Sequence, residues 1–312
     1  MKISDYVNAR NNLKKILEIT EHNEIWHGYF GRVVQGIVDY VFLRDRFETS
    51  IQAKSSELAK NLTEIEAEIH RAIDYCNECI QSQEAEYHRL SRDLYGATVA
   101  IETDQMIFNK PLIVDQDLLD SVFSRVASYS DWKFPAILVR PGAENFVSKL
   151  LASDPLYLLD TRKSLLQPTV DKFPPPYNNR LRLYECIEDD SLLCQIPNNQ
   201  YNLIVVWNFF NYRPADLVCK YIKLFEQKLR PGGIIAFSYN DCDYPGAARL
   251  AEKKLATYVT GSSIKAYLDE LNLEVIIEET DEGNFYWIEA KKPGELFSLR
   301  GGQCLAQIVP KY

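Results

Sequence analysis

Polar side chains that could support chemistry follow two apolar segments in the second half of the chain. Asn208, Asn211 and Tyr212 follow the first segment, and Asp241 follows the second. The carboxamide of Asn211 could orient a nucleophile, and Tyr212 or Asp241 could accept a proton. All four histidines precede residue 89, so we expect no histidine-based mechanism from this part of the chain.

The segment 201–240 must position these side chains. Residues 203–207 and 234–237 are apolar throughout, which is typical of strands buried on both faces. Between them apolar residues recur at steps of three and four, which predicts an amphipathic helix: Leu217, Val218, Tyr221, Leu224, Phe225 and Leu229.

We expect that helix to stop at Arg230-Pro231-Gly232-Gly233, because proline cannot continue a helix and glycine favours its terminal turn. The pattern predicts a βαβ unit of a parallel sheet. Ligands of such sheets bind beyond the carboxyl ends of the strands, here at residues 208–212 and 238–241.

The order of strand, proline-containing loop, helix, Leu-Arg-Pro-Gly-Gly and strand resembles class I S-adenosylmethionine-dependent methyltransferases. The resemblance covers residues 96–312 and leaves 1–95 without a counterpart. It implies an α/β, Rossmann-like sheet that is parallel with an antiparallel final strand, here a hairpin of 273–278 and 285–290. It also implies S-adenosylmethionine as cofactor and a small molecule or a protein as methyl acceptor.

The turn after the predicted first strand, 136–139, is the candidate cofactor loop. A nucleotide-like cofactor requires glycines there so that the backbone can approach it. Arg140 and Gly142 are therefore candidate cofactor-binding residues. Aligned with the family, Gly142 is the one glycine kept, and Arg140 and Glu144 replace two others. An ordinary turn without a ligand is the alternative.

The resemblance implies three further cofactor contacts. Asp160, at the end of the second strand, would accept hydrogen bonds from ribose hydroxyls, and Glu188 and Asp189 would lie near the adenine. Asn208 is also placed among the cofactor-binding residues. A solvated or helix-capping Asp160 and a solvated turn at 188–189 are the alternatives.

The loop after the fourth strand differs from two patterns of the family. Asn211 and Tyr212 stand where small-molecule methyltransferases often have Glu-His. The pattern Asn-Pro-Pro-aromatic, which positions amino groups of bases or glutamine, is absent from the sequence. This difference argues against amino methylation of nucleic acid.

Residues 1–95 show helical periodicity. Apolar residues alternate in steps of four and three, as heptad a and d positions do: Leu58, Leu62, Ile65, Ile69, Ala72, Cys76 and Cys79. We predict an all-α, coiled-coil-like assembly domain in 1–95 and a methyltransferase-like domain in 96–312. The first would self-associate or bind a helical protein partner.

The bulk composition indicates an ordinary globular protein. Of 312 residues, 46% are hydrophobic and 25% charged, and the net charge is −9. Neither nucleic acid nor a membrane is an expected partner, and we expect a cytoplasmic protein. Cys76 and Cys79 are predicted to lie in the core and not to bind metal.

Two functions remain open from the sequence. One is an S-adenosylmethionine-dependent methyltransferase with full, reduced or lost activity. The other is a structural or binding component of an oligomeric assembly, such as a viral particle, that uses a catalytically inactive methyltransferase fold.

Overall fold

A computed structural model describes residues 1–21, 62–100, 116–139, 144–160, 163–175, 177–185, 196–281 and 285–297. The helices are α1 (Ile3–Glu21), α2 (Leu62–Ala100), α3 (Gln116–Ser128), α4 (Glu144–Leu150), α5 (Lys163–Val170), α6 (Ala215–Lys228), α7 (Pro245–Glu252) and α8 (Gly261–Glu270). The strands are β1 (Ala136–Val139), β2 (Leu156–Asp160), β3 (Leu181–Glu185), β4 (Tyr201–Val206), β5 (Leu229–Tyr239), β6 (Glu274–Thr280) and β7 (Tyr286–Lys291).

The chain divides into two compact units. One comprises Met1–Leu90 and Cys242–Leu255, and the other Ser91–Asp241 and Ala256–Tyr312. Helix α7 therefore belongs to the helical unit, although its sequence neighbours on both sides belong to the α/β unit. The sequence pattern contains no signal that α7 belongs to the helical unit.

The described strands of the α/β unit form one sheet in the order β3-β2-β1-β4-β5-β7-β6. Strands β1 to β5 pair in parallel, and β7 is antiparallel to both β5 and β6. This arrangement confirms the predicted α/β, Rossmann-like sheet with an antiparallel final strand. Strands β1 and β4 are completely buried, as their apolar sequences predict.

Helices cover both faces of the sheet. On one face, Leu138 and Val205 pack in a core with Phe123 of α3 and Phe146 of α4. On the other face, the aromatic residues of the β4–α6 connection and of α6 fill the space: Phe210 lies 5.4 Å from Phe237 of β5 and 6.2 Å from Tyr221 of α6, between ring centroids. Both layers leave the carboxyl ends of the parallel strands at one edge.

The helix stops before Arg230 as predicted, but Leu229–Gly233 is the start of β5 and not a helix-terminating turn. Helix α6 ends at Lys228, and the pairing of β4 with β5 shifts register between Tyr201 and Leu203. Gly232 has φ +79°, and a Cβ there would lie 2.7 Å from the backbone nitrogen of Leu296. The two glycines therefore allow an irregular strand start with close backbone neighbours.

In the helical unit, α1 is confirmed as a helix and contacts α7. The Arg10 guanidinium lies 3.2 Å from the Asp243 carboxylate, and the Ser4 N–H donates to Glu252 at 2.8 Å. Cys76 is fully buried, as predicted, and burial raises the pKa of its thiol to about 12. Helix α2 continues to Ala100, beyond the predicted junction at residue 96.

Candidate functional site

The strand order reverses between β1 and β4. The chain runs from β1 through β2 to β3 on one side and then places β4 on the opposite side of β1. Such a reversal opens a crevice outside the carboxyl ends of the two strands, and open α/β sheets bind ligands there. Trp207 and Asn208 leave the end of β4 at this crevice.

Four predicted cofactor-binding residues lie outside the described residues. These are Arg140 and Gly142 after β1, and Glu188 and Asp189 after β3. Their roles stay predictions. The described residues bring the other candidates to the same edge of the sheet, after β2, β4 and β5.

Asp160 is the last residue of β2 and is 4% exposed. It pairs in register with Glu185, the last residue of β3, which is exposed. A buried carboxylate is unfavourable unless it is hydrogen-bonded or paired, and Asp160 has an interaction of its own in the folded chain. The position is the one at which the resemblance implies ribose binding, and that role stays a prediction.

Asn208 adopts an unusual backbone conformation directly after β4. Its φ is +48°, in the left-handed region that non-glycine residues seldom occupy. Its N–H donates to Ser238 Oγ at 2.7 Å, which ties the end of β4 to β5. The residue is 7% exposed, and its buried Oδ1 has no hydrogen-bond partner within the part of the chain that the structure describes.

Asn211 holds the loop after β4 in place through its hydrogen bonds. Its Oδ1 accepts from Ser238 Oγ at 3.3 Å, and its backbone oxygen accepts from the N–H of Thr257 at 2.9 Å and its Oγ1 at 3.1 Å. Tyr212, beside it in a short 3-10 turn, is 8% exposed. The contacts of Asn211 join the loops after β4 and after α7 at the edge of the sheet.

Asp241 holds the start of α8. Its Oδ1 accepts from the Gly261 N–H at 2.7 Å, and its Oδ2 accepts from the Tyr239 hydroxyl at 3.1 Å. A Cβ on Gly261 would clash with this carboxylate, so glycine is required there. The N-cap of α8 is Thr260, whose side chain accepts from Ser263 N–H. A negative charge at a helix N-terminus is favourable.

Trp207 directly follows β4 and packs against the hydrophobic core. Its ring is partly exposed and lies on an aromatic cluster, with centroid distances of 4.8 Å to Phe146, 5.6 Å to Phe285 and 5.8 Å to Trp287. The apolar run 203–207 predicted Trp207 as the end of a strand, and the polar residues that follow it were the signal in the sequence.

Arg213 was also missed, because its sequence neighbourhood indicates an ordinary loop. It is 1% exposed, and its guanidinium carbon lies 4.1 Å from the ring centroid of Phe209 and 5.5 Å from that of Tyr95 in α2. Ser91 Oγ, also in α2, accepts from the Tyr258 N–H at 2.7 Å. The last turns of α2 thus pack on the loops that follow β4 and α7.

Among the described residues, no group of three or more histidine, cysteine, aspartate or glutamate side chains could hold a metal ion. In the same residues, no helix is long and apolar enough to cross a bilayer.

The strand order and the antiparallel β7 define a class I methyltransferase fold, as the sequence resemblance implied. No family model matches the chain, and no curated protein matches it. Among solved structures, an O-methyltransferase family protein from Burkholderia thailandensis is 12% identical, with a TM-score of 0.46, over 69% of this chain and 64% of that protein.

Two further solved structures are similar to the chain. A SAM-dependent methyltransferase from Archaeoglobus fulgidus is 12% identical with a TM-score of 0.45, over 61% of this chain and 100% of that protein. The N-methyltransferase NodS from Bradyrhizobium japonicum is 14% identical with a TM-score of 0.40, over 58% of this chain and 99% of that protein. The chain therefore spans less than two thirds of the Burkholderia protein but nearly all of these two.

Proposed function

We propose that the α/β unit binds S-adenosylmethionine in the crevice outside β1 and β4 and transfers its methyl group to a small molecule or a protein. The observation that carries the proposal is the buried carboxylate of Asp160, one strand away from the crevice. The two oxygens of a carboxylate accept hydrogen bonds from the two adjacent hydroxyls of a ribose.

The cofactor would supply an activated methyl group on a sulfonium, so the protein has to position an acceptor and exclude water. The side-chain oxygens of Asn211 and Asp241 accept hydrogen bonds from other protein groups. This favours a positioning role for both residues. Acceleration would then come mainly from holding the acceptor in line, an effect that alone can be large.

The proposal is tested by calorimetric titration of S-adenosylmethionine and S-adenosylhomocysteine into the full chain. Asp160→Asn preserves the shape of the side chain and removes its charge, and we expect about ten- to hundredfold weaker binding because a hydrogen bond to a charged group is lost. Glu185→Gln, at the paired position of β3, is the matched control and should change affinity by less than about twofold. A folded wild-type chain that binds neither ligand at millimolar concentration would refute the proposal.

A catalytically inactive binding module is the second candidate. It is favoured by Arg140 and Glu144 at two expected glycine positions of the cofactor loop. In that case residues 1–95 would carry the function by self-association or by binding a helical protein. Light scattering of the full chain, combined with the titration above, separates the two candidates.

A further inference from the structure

Three exposed apolar side chains of the α/β unit lie where the parallel strands begin, at the edge opposite the candidate site. Trp132 is 49% exposed and precedes β1, whereas Leu296 and Phe297 are 45% and 68% exposed and follow β7. Strand β7 is antiparallel to β5, so its end lies at the edge where β1 starts. Exposed apolar side chains that lie close together mark surfaces that bind other molecules.

Arg230 connects these residues across the start of β4. Its guanidinium carbon lies 4.7 Å from the ring centroid of Phe134, which follows Trp132 by two residues. Strand β4 lies between β1, which follows Phe134, and β5, which contains Arg230. Beside Arg230, a Cβ on Gly232 would lie 2.7 Å from the backbone nitrogen of Leu296. We define the arginine patch as Trp132, Arg230, Leu296 and Phe297.

Arg230 carries its charge without an acidic partner among the described residues. It is half-buried, burial lowers the pKa of its guanidinium, and no described carboxylate forms an ion pair with it. A guanidinium that lies against an aromatic ring keeps the N–H donors in its plane available to a carboxylate. Arginine and tryptophan are also enriched among the residues that contribute most binding energy at protein interfaces. The arginine patch therefore fits a surface that carries a carboxylate beside an apolar side chain.

Strand β6 of the same chain carries such a surface. It is an edge strand of the described sheet, and its exposed residues alternate with less exposed ones at Glu274, Ile276 and Glu278. This alternation places Ile276 between two carboxylates on one face of the strand. Glu278 accepts from Lys265 at 2.9 Å, whereas Glu274 has no ion pair within the described ranges. Glu274 is therefore the carboxylate of this face that can pair with a cation of another molecule.

We propose that the arginine patch of one chain docks on the exposed face of β6 in a second copy of the chain. Arg230 pairs with Glu274 of the other copy, and Trp132 covers Ile276. The two surfaces belong to different parts of the chain, so the contact is head-to-tail, and copies add one after another unless their rotation closes a ring. Neither surface belongs to the candidate site, so the proposal is independent of the proposed function.

The test is sedimentation velocity of the full chain over a series of concentrations, with charge-reversal variants. The mass of the wild-type chain should rise with concentration. Arg230→Glu and Glu274→Arg should each weaken association at least about tenfold, because like charges that face each other across a contact repel. Lys223→Glu is the matched control, since Lys223 is an exposed cation on α6, and it should associate as the wild type does.

A mixture of the two variants tests whether the two surfaces are partners. In equal amounts, Arg230→Glu and Glu274→Arg should associate again, because Arg230 of one variant meets Glu274 of the other. Self-association through residues 1–95 would instead be unchanged in every variant, and that result overturns the proposal. A wild-type chain that stays monomeric throughout the series, or a mixture that does not associate, overturns it as well.

A neutral variant keeps the proposal testable if Arg230→Glu does not fold. Trp132→Ser removes an exposed ring and should weaken association, because that ring covers an apolar side chain of the other copy. Tyr177→Ser is its control, since Tyr177 is an exposed aromatic residue elsewhere in the same unit. Equal association of the wild type and a folded Trp132→Ser variant would contradict the docking of the arginine patch.

Discussion

A buried ionic network in the α/β unit gives the sharpest prediction about stability. Glu289 of β7 is 0% exposed and accepts hydrogen bonds from Arg125 Nε at 2.8 Å, the Tyr129 hydroxyl at 2.7 Å and Trp287 Nε1 at 2.9 Å. Arg125 also donates from both terminal nitrogens to Glu279 of β6, at 2.9 and 2.7 Å. The network joins α3 to the antiparallel edge of the sheet.

The two partners of this network should respond unequally to substitution. Arg125→Met keeps the aliphatic bulk but leaves the Glu289 carboxylate without its cation. Breaking a buried pair in this way costs about 3–5 kcal/mol, and we expect about 3 kcal/mol because the Arg125 side chain is 22% exposed. Glu289→Gln should cost only about 1–2 kcal/mol, since Arg125 keeps its paired hydrogen bonds with Glu279.

The assay is urea unfolding of the full chain followed by circular dichroism. The double variant should lose less than the sum of the single losses by about 1–2 kcal/mol, because each substitution removes the same contact. Lys265→Met is the control, as the Lys265–Glu278 pair is exposed on both sides and should contribute less than about 1 kcal/mol. An Arg125→Met loss no larger than that of Lys265→Met would refute the reasoning.

Three further outcomes are expected. Asp241→Ala should destabilise the chain by about 2–4 kcal/mol in the same urea assay, because two buried donors lose their acceptor; a change below about 0.5 kcal/mol would contradict the anchoring role. Burial raises the pKa of Tyr201, and burial with the Glu289 hydrogen bond raises the pKa of Tyr129. The folded state therefore holds these two protons more tightly than the unfolded state does. The free energy of unfolding should keep its full value below about pH 10 and fall above it by about 1.4 kcal/mol per pH unit for each tyrosine. Tyr201→Phe should make this fall less steep. Light scattering should give at least twice the monomer mass if residues 1–95 self-associate, and a monomer would contradict that prediction.

The sheet could be predicted because its signals are local. The apolar runs at 136–139, 203–206 and 234–237 identify buried strands without knowledge of their neighbours. The start of β5 could not be predicted in this way. Pro231 and Gly232 usually mark the end of a helix, but here Gly232 fits against the backbone at 295–296, and that neighbour is distant in the sequence.

The position of the candidate site could be predicted from the sequence, but the roles of its residues could not. Asp241 and Asn208 look alike in the sequence, since each is a polar residue two positions after the end of a buried strand. What separates them is the partner: the donors to Asp241 include the N–H of Gly261, which only the folded chain brings close. Likewise, the Arg213 guanidinium lies against the rings of Phe209 and Tyr95, and only the folded chain brings Tyr95 close.

The side-chain hydrogen bonds therefore distinguish residues that hold the loops at the carboxyl ends of the strands from residues that do not. Asp241 and Asn211 have their side-chain oxygens occupied by protein donors, so substituting them should first reduce stability. Among the described residues no donor reaches Asn208 Oδ1, so substituting Asn208 should reduce stability less. If Asn208→Gly proved as destabilising as Asp241→Ala in urea unfolding, this distinction between the two residues would be wrong.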